Sequence, residues 1–453
     1  MNRILTSFSV TALTAVATWV AAPCAALAQA PAGVAAAPPI ALKAARLFDS
    51  VSGTLRTNGV VVVQGGKIVS VGSGTAIPAG ARVIDLGDAT LLPGFIDAHT
   101  HVTSEFNANY YRGVYNDLML FPSEKTLYAE RWARRTLDAG FTTIRNVGAT
   151  DHVDVGLRNA INADVTIGPR ILTAVYSIGS TGGHCDQSPF PPENIAPIGP
   201  VQGVCNGPEQ CREAVRDQMK WGADVIKICA SGGVLSEADP VDVPQLTPAE
   251  LGAIMSEAHA WKRKVAAHAH GDLAARLAIE AGVDSIEHGS FLTDDTLKLM
   301  KQKGVYLVPT RMAVYWVNKS ADTYPPKIAE KARSAYAAAS RSFKAAVKLG
   351  VPIALGTDAG VYPHGMNAQE FALMVDGGMT AAASLMAGTR EAAKLLGVDS
   401  DSGTLEVGKW ADIVAVPGDV TADIRATEHP IFVMRHGQVV VQKVAGGAMG
   451  AAP

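Results

Sequence analysis

The chain has 453 residues, which is enough for one large domain or for two to three smaller ones. Hydrophobic residues make up 48% of it and charged residues 18%, so the chain can bury a sizeable core. The net charge is −3 and no basic stripe is present, which gives no reason to expect nucleic acid as a partner.

Residues 1–28 have the pattern of a secretory signal peptide. Arg3 supplies the positive charge, an apolar stretch rich in Ala, Val and Leu covers residues 5–22, and residues 26–28 (Ala-Leu-Ala) fit the small-x-small cleavage pattern. The apolar stretch is short and rich in Ala, which argues against a transmembrane anchor. We therefore expect an exported protein, periplasmic or secreted, with no membrane anchor after cleavage. Residues 29–40, rich in Ala and Pro, are expected to be a flexible leader.

Four cysteines follow the predicted signal peptide: Cys185, Cys205, Cys211 and Cys229. An oxidising compartment permits disulfides. Cys229 follows a strand-like run and is expected to be a small buried hydrophobic residue. Cys185 lies in loop-like sequence and could pair with Cys205 or with Cys211. Spacing alone does not determine connectivity, so the pairing is left open.

Short strand-like segments occur near both ends of the chain. They cover residues 44–48, 60–64, 67–71 and 82–86, and later 411–416, 431–435 and 438–442. Gly65-Gly66 signals a hairpin between the second and the third of them. We predict that residues 41–92 and 403–442 join into one small β-sandwich domain, with residues 443–453 as a flexible tail.

Between residues 93 and 402, strand-like runs alternate with helical segments. Several helical stretches end in a glycine that is followed by a β-rich run, as at Gly282 and Gly304, and glycine is the expected cap just past a helix. The candidate strands are residues 94–99, 141–147, 170–175, 224–230, 264–270, 285–289, 305–310 and 352–358. Eight β-then-α units predict an α/β fold with a (β/α)8 TIM barrel at 93–402, and a doubly wound sheet is the alternative.

Side chains that could bind metal lie at the C-terminal ends of five candidate strands. They are His99 and His101 on the first strand, Lys227 on the fourth, His268 and His270 on the fifth, His288 on the sixth, and Asp358 on the eighth. Side chains two apart on a strand point the same way, so His99 and His101 can reach one ion, with Asp97 as a further neighbour or orienter. The recurrence of such groups at the catalytic end of a barrel is hard to explain by packing.

Taken together, these segments resemble the amidohydrolase superfamily of metal-dependent hydrolases. The matching pieces are Pro-Gly-Phe-Ile-Asp-Ala-His-Thr-His (93–101), Asp-Val-Ile-Lys (224–227), Ala-Ala-His-Ala-His-Gly (266–271), Ser-Ile-Glu-His-Gly (285–289), Gly-Thr-Asp-Ala-Gly (356–360) and Gly-Thr-Leu-Glu-Val-Gly-Lys-Trp-Ala-Asp-Ile-Val (403–414). Residues 180–184 (Ser-Thr-Gly-Gly-His) are similar to a segment of exported Xaa-Pro and Xaa-Arg dipeptidases and of ochratoxin-type amidases. Those proteins often have glycine after this histidine, where this chain has Cys185.

The resemblance implies two divalent metal ions, with Zn²⁺ as the expected metal. The implied ligands are His99, His101 and Asp358 for one ion, His268 and His288 for the other, and Lys227 for both. An ammonium cannot bind a cation, so Lys227 would be an N6-carboxylysine, whose carbamate can bridge two metals. Burial favours the neutral amine that reacts with CO2, because it lowers the pKa of a lysine.

The resemblance also implies the catalytic roles. A metal-bridging hydroxide would attack the carbonyl, and Asp358 would take its proton and pass it to the leaving amine. His184 would polarise the substrate carbonyl or hold an anionic group, and His270 would contact the substrate.

The expected reaction is therefore hydrolysis of an amide bond in a dipeptide or an N-acyl amino acid, ochratoxin-like amides included. One alternative is a deaminase or imidazolonepropionase-like hydrolase with a single metal, which has no need of a bridging Lys227. Another is a non-catalytic binding protein on the same fold, which the full ligand set disfavours. The expected partner is the small-molecule substrate, and assembly as a homo-oligomer is left open.

Overall fold

The computed structural model describes residues 38–186, 197–237 and 239–443. The predicted signal peptide, nearly all of the leader and residues 444–453 of the tail lie outside these residues. Within the described ranges, no helix combines the length and the apolar character needed to cross a membrane.

The described residues contain fifteen strands and twelve α-helices. The strands are β1 (Ile40–Asp49), β2 (Thr54–Gln64), β3 (Lys67–Ser73), β4 (Arg82–Asp85), β5 (Ala89–Pro93), β6 (Phe95–Thr100), β7 (Phe141–Asn146), β8 (Arg170–Thr173), β9 (Val225–Cys229), β10 (Lys264–Ala269), β11 (Ser285–His288), β12 (Tyr306–Val308), β13 (Ile413–Pro417), β14 (Phe432–Arg435) and β15 (Gln438–Gln442). The helices are α1 (Tyr110–Met119), α2 (Pro122–Asp138), α3 (Val153–Asn162), α4 (Pro208–Lys220), α5 (Pro248–Ala260), α6 (Asp272–Ala281), α7 (Asp294–Lys303), α8 (Arg311–Lys319), α9 (Pro326–Leu349), α10 (Gln369–Asp376), α11 (Ala381–Met386) and α12 (Ala392–Leu396).

The largest sheet combines strands from both ends of the chain. Its order is β15-β14-β13-β5-β1-β2-β3, and β4 pairs with β1. β5 joins the two ends, because it pairs antiparallel with β13, with Leu91 opposite Ala415. Leu42 and Phe432, from opposite ends of the sequence, belong to the same buried cluster. The predicted strands at both ends are present, whereas the sandwich packing and the domain boundaries stay predictions.

Seven parallel strands alternate with helices in the middle of the described chain. They form a three-stranded sheet, β6-β7-β8, and a four-stranded sheet, β9-β10-β11-β12. The backbone N–H of Asp224, just before β9, donates to the carbonyl of Thr173 at the end of β8 (2.8 Å). The α/β class is therefore confirmed, and the C-terminal ends of β6 and β9 to β11 carry the predicted site residues.

Residues 352–358, predicted as an eighth strand, do not form a regular strand. The segment lies between the two parallel sheets, since Leu307 N donates to Pro352 O (2.8 Å) and Ala98 N donates to Leu355 O (2.9 Å). At the end of the segment, Asp358 has a left-handed backbone, with φ 62°.

The predicted helix ends are also present. Gly282 and Gly304 cap α6 and α7 in the left-handed conformation. The Thr247 side chain accepts from the N–H of Glu250, and the Glu250 side chain accepts from the N–H of Thr247, which together form a capping box at α5.

The suggested pairing of Cys185 with Cys205 or Cys211 was wrong. Cys185 is bonded to Cys229, with Cα atoms 5.9 Å apart, and Cys205 is bonded to Cys211, with Cα atoms 5.0 Å apart. Cys229 is buried, as expected, but it is not a free small hydrophobic residue. The pairing arises because the segment that follows β8 passes over the end of β9, a proximity that sequence spacing does not reveal.

Candidate active site

Two groups of possible ligand atoms lie next to each other at the ends of the parallel strands. One group is His99, His101 and Asp358, and the other is His268, His270 and His288. Within each group the ligand atoms lie within 4.8 Å of one another. The groups adjoin, because the ring centroids of His99 and His288 are 5.0 Å apart. Both groups, with Lys227 and His184, line one cavity of about 950 Å³.

In the first group, both histidines point their Nε2 atoms at one carboxylate. Nε2 of His99 and Nε2 of His101 each lie 3.5 Å from Oδ1 of Asp358. Burial lowers the pKa of His101 to about 3 and that of His99 well below its usual value, so both rings are neutral, as metal binding requires. Nε2 of His99 is buried and has no hydrogen-bond partner among the described residues.

Asp358 sits in an environment that favours its protonated form when no cation is near. Burial raises the pKa of Asp358 to about 7; the Lys227 charge lowers it, and Asp97 and Glu287 raise it further. A carboxylate with this pKa can take up and release a proton near neutrality.

Asp97, predicted as a metal neighbour or an orienter, lies in the orienting position. Its carboxylate accepts from Thr357 Oγ1 (2.6 Å), from Asn367 Nδ2 (2.8 Å) and from the backbone N–H of His99 (3.1 Å). It therefore fastens the segment that carries Asp358 to the end of β6, and these contacts occupy its oxygens.

The buried pair of Glu287 and Arg145 behind His99 was not predicted from the sequence. Nδ1 of His99 donates to Oε2 of Glu287 (2.7 Å), and Oε1 of Glu287 accepts from Arg145 Nη2 (2.8 Å) and from Ser285 Oγ (2.5 Å). Glu287 and Arg145 are both buried. Because a carboxylate only accepts, Nδ1 of His99 carries the proton and Nε2 is left free for a metal. The glutamate inside the apolar strand Ser-Ile-Glu-His (285–288) was the sequence signal that could have indicated a buried charged pair.

The second group contains one histidine more than predicted. The ring centroids of His268 and His288 are 4.5 Å apart, and those of His270 and His288 are 4.8 Å apart and nearly parallel. Nδ1 of His270 is hydrogen-bonded to Ser290 Oγ (2.8 Å), and Nδ1 of His288 to Thr310 Oγ1 (2.7 Å). His270, predicted as a substrate contact, therefore lies as close to the group as the two predicted ligands.

Lys227 lies on β9, with its Cα opposite Ala266 of β10. It is only 3% exposed. Burial lowers the pKa of Lys227 to about 8, against the opposing effect of Glu287 and Asp358. Its charge also contributes to lowering the pKa of His99 and of His268, so Lys227 is within electrostatic reach of both groups.

His184 reaches the site from the segment that follows β8. Its ring centroid is 4.3 Å from that of His268, and its Nδ1 is hydrogen-bonded to Ser236 Oγ (3.2 Å). Burial lowers the pKa of His184 to about 4, although Asp239 acts to raise it. The neutral ring lines the cavity beside the second group.

Away from the histidines, the cavity lining includes apolar side chains. Its wall includes Val234 and Leu235 from the loop after β9, and Val314 and Val317 from α8. α1 contributes to the same lining, and its Tyr110 hydroxyl donates to the carbonyl of Leu235 (3.0 Å).

A family model described as "Amidohydrolase family" matches residues 90–442. The chain belongs to the amidohydrolase family. The ochratoxinase of Aspergillus niger is 30% identical over 391 residues, which cover 82% of this chain and 80% of that protein. A crystal structure of a Xaa-Pro dipeptidase with bound methionine in the active site is 37% identical, with a TM-score of 0.85, and covers 88% of this chain and 99% of that one. A crystal structure of a prolidase complexed with N-methylphosphonate-L-proline is 29% identical, with a TM-score of 0.82, and covers 89% and 100%.

The resemblance inferred from the sequence is therefore confirmed. The amidohydrolase described here is a hydrolase, and its relatives support the hydrolysis of amide bonds. Its solved neighbours have a fold of the TIM-barrel type.

Proposed function

We propose that this amidohydrolase cleaves the amide bond of a dipeptide or an N-acyl amino acid with two divalent metal ions. The observation that carries the proposal is the pair of adjoining ligand groups in one cavity, with the buried Lys227 within electrostatic reach of both. A single tetrahedral zinc needs four ligands at most, and the two groups bring together five of the predicted histidine and carboxylate ligands, besides Lys227 and with His270 next to them.

The residues fit a pair of metal ions. Nε2 of His99 is a buried nitrogen without a partner among the described residues, and the Glu287 hydrogen bond keeps it unprotonated. His101 donates from Nδ1 to Gly148 O (3.4 Å), which likewise leaves its Nε2 free. The ligand set of nitrogen and oxygen atoms suits Zn²⁺, and we propose that an N6-carboxylated Lys227 completes it.

The metal ions, when bound, would lower the pKa of a water molecule and polarise the substrate carbonyl. Asp358 would then accept the proton of the attacking water and deliver it to the leaving nitrogen. His184 would bind the carbonyl oxygen in the tautomer that carries the proton on Nε2. In that tautomer Nδ1 accepts from Ser236 Oγ, which gives up its hydrogen bond to the carbonyl of Gly233 (3.2 Å).

We also infer that the two parallel sheets and residues 352–358 close into an eight-stranded barrel. The hydrogen bonds of this segment with β12 and β6 support the closure on one side, and the Asp224–Thr173 hydrogen bond supports it on the other. From the N-terminal sequence pattern, we further propose export to the periplasm or the medium.

The test combines metal analysis with a library of dipeptides and N-acyl amino acids. We expect about two zinc ions per chain and turnover of a subset of the library. A His259→Asn variant is the control, because His259 is a half-exposed histidine paired with Asp284 (3.2 Å) outside the cavity. It should keep both the metals and the activity. One tightly bound ion at full activity would exclude the binuclear proposal, and a metal-loaded protein that hydrolyses no amide would exclude the reaction.

A further inference from the structure

The segment that carries His184 is covalently attached to a strand that carries metal-ligand candidates. Cys185, the residue after His184, is bonded to Cys229 at the end of β9. Cys229 is two residues after Lys227, and its Cα lies opposite that of His268 in the parallel ladder. The disulfide therefore connects the backbone beside His184 to the point where β9 and β10 present Lys227 and His268.

The His184 ring is also seated against the loop that follows β9. The backbone N–H of His184 donates to Gln245 Oε1 (2.8 Å), and its Nδ1 is hydrogen-bonded to Ser236 Oγ (3.2 Å). The ring lies directly on Gly233, where any Cβ would overlap it. Lys331 of α9 holds this loop by donating to the carbonyls of Gly233 (2.7 Å) and of Asp239 (3.0 Å), and also to that of Ser236.

The backbone next to the disulfide leaves room for the Cys185 side chain. A Cβ on Gly179 would come within 2.8 Å of the Cys185 Cβ, so glycine leaves room for Cys185. The neighbouring backbone is in register with β9, since Cys229 N donates to Ile178 O (2.8 Å). Residues 174–207 form a long connection whose described part contains one three-residue 3-10 helix, Pro200–Gln202. The described part of this connection therefore has little regular structure of its own to fix a side chain.

We propose that the Cys185–Cys229 disulfide is a positioning element that holds the His184 imidazole at the reacting carbonyl. The proposal rests on the function proposed above, in which His184 binds the carbonyl oxygen. A hydrogen-bond donor acts on the transition state only from the correct place, and a displacement of about 1 Å can cost roughly 100-fold in rate. The disulfide limits the freedom of the backbone next to His184 and does so relative to the strands that present the other groups of the site.

The test compares two double variants. Cys185→Ser/Cys229→Ser removes the positioning disulfide, and Cys205→Ser/Cys211→Ser removes the other disulfide of the same connection and is the control. For the first variant we expect an unchanged metal content and a kcat lowered by about 10- to 100-fold, with a much smaller change in KM. The control should keep kcat within about 3-fold, because the Cys205–Cys211 disulfide is attached neither to the residue next to His184 nor to a strand of the site, and separate sites act independently.

A comparison in the His184→Asn background separates positioning from general stabilisation. If the disulfide acts through His184, its removal should lower kcat little further once that ring is absent. An equal loss in both backgrounds, full activity without the disulfide, or a loss of metal would each overturn the proposal, because the disulfide would then not act through His184.

The disulfide can also be removed chemically, and the His184 ring can be observed directly by NMR. If the serine variant fails to fold, the folded Cys205→Ser/Cys211→Ser protein can be reduced with a water-soluble phosphine. The phosphine supplies the two electrons that break the S–S bond and takes up the oxygen of a water molecule to become its oxide. The two protons of that water complete the two thiols. The same loss of kcat is expected.

The imidazole NMR signals of His184, assigned with His184→Asn, should shift and broaden without the disulfide; unchanged signals would overturn the proposal. Because this readout needs no substrate, it separates failure of the positioning role from failure of the proposed reaction.

Discussion

Glu287→Gln tests whether the buried carboxylate behind His99 prepares that ring for a metal. Oε1 of Glu287 receives hydrogen bonds from Arg145 and Ser285, and Oε2 receives the one from His99. In the glutamine, the amide oxygen is expected to face Arg145 and Ser285, which leaves the amide NH2 group facing His99. Nδ1 of His99 must then accept, so the proton moves to Nε2 and blocks the atom that would bind metal.

The expected loss follows from this change of tautomer. Removing a hydrogen-bond partner behind a ligating histidine typically weakens metal binding by about 10- to 100-fold, equivalent to about 1.4–2.8 kcal/mol. Arg145, with a side chain only 2% exposed, also loses its opposite charge. A charge left uncompensated in the interior costs about 3–5 kcal/mol, so the metal-free variant should also unfold more easily.

The assay is a competition titration with a chelator, followed by denaturant unfolding of the metal-free protein. Glu370→Gln is the matched control, because Glu370 is another buried glutamate and accepts hydrogen bonds from the backbone of Arg311 (2.9 Å) and Met312 (2.6 Å). It contacts neither ligand group and should keep the wild-type metal affinity. Wild-type affinity in Glu287→Gln would refute the argument that this carboxylate sets the His99 tautomer.

Four further outcomes are expected. Lys227→Ala should lose most activity and recover part of it with short carboxylic acids, whereas full activity of Lys227→Arg, which cannot form the carbamate, would contradict the bridging role. His268→Ala should lose metal as well as turnover, while His270→Ala should keep both metals and lose roughly 1–3 kcal/mol of substrate binding; metal analysis that gives the opposite pattern would exchange their roles. Burial raises the pKa of Glu370 to about 8, so the folded protein retains a proton that the unfolded chain releases near its usual value, and stability falls as pH rises through this window. Glu370→Gln removes this titration but turns an amide NH2 group toward one of the two backbone N–H donors that the carboxylate accepts. It should therefore melt lower than the wild type at pH 4, and the difference should shrink at pH 8; a difference that is the same at both pH values would count against the titration of Glu370. Stripping the metals with a chelator should lower the melting temperature, and an unchanged value would show that no metal binds preferentially to the folded state.

The amino-acid sequence determined which chemical groups meet at the site. Strand periodicity places His99 and His101 on one face, and parallel strands bring their C-terminal ends together, so the ligand types and their common location could be predicted. The strands and the glycine caps at Gly282 and Gly304 could be predicted as well, because they depend on residues a few positions apart.

The tertiary structure decided what depends on residues that are distant in the sequence. The Glu287 hydrogen bond to His99 spans 188 residues, and the Cys185–Cys229 disulfide spans 44. The irregular backbone at Asp358 arises where residues 352–358 pack between the two sheets. Local propensity carries no information on such contacts, since their energies come from burial and charge pairing that exist only once the strands have assembled.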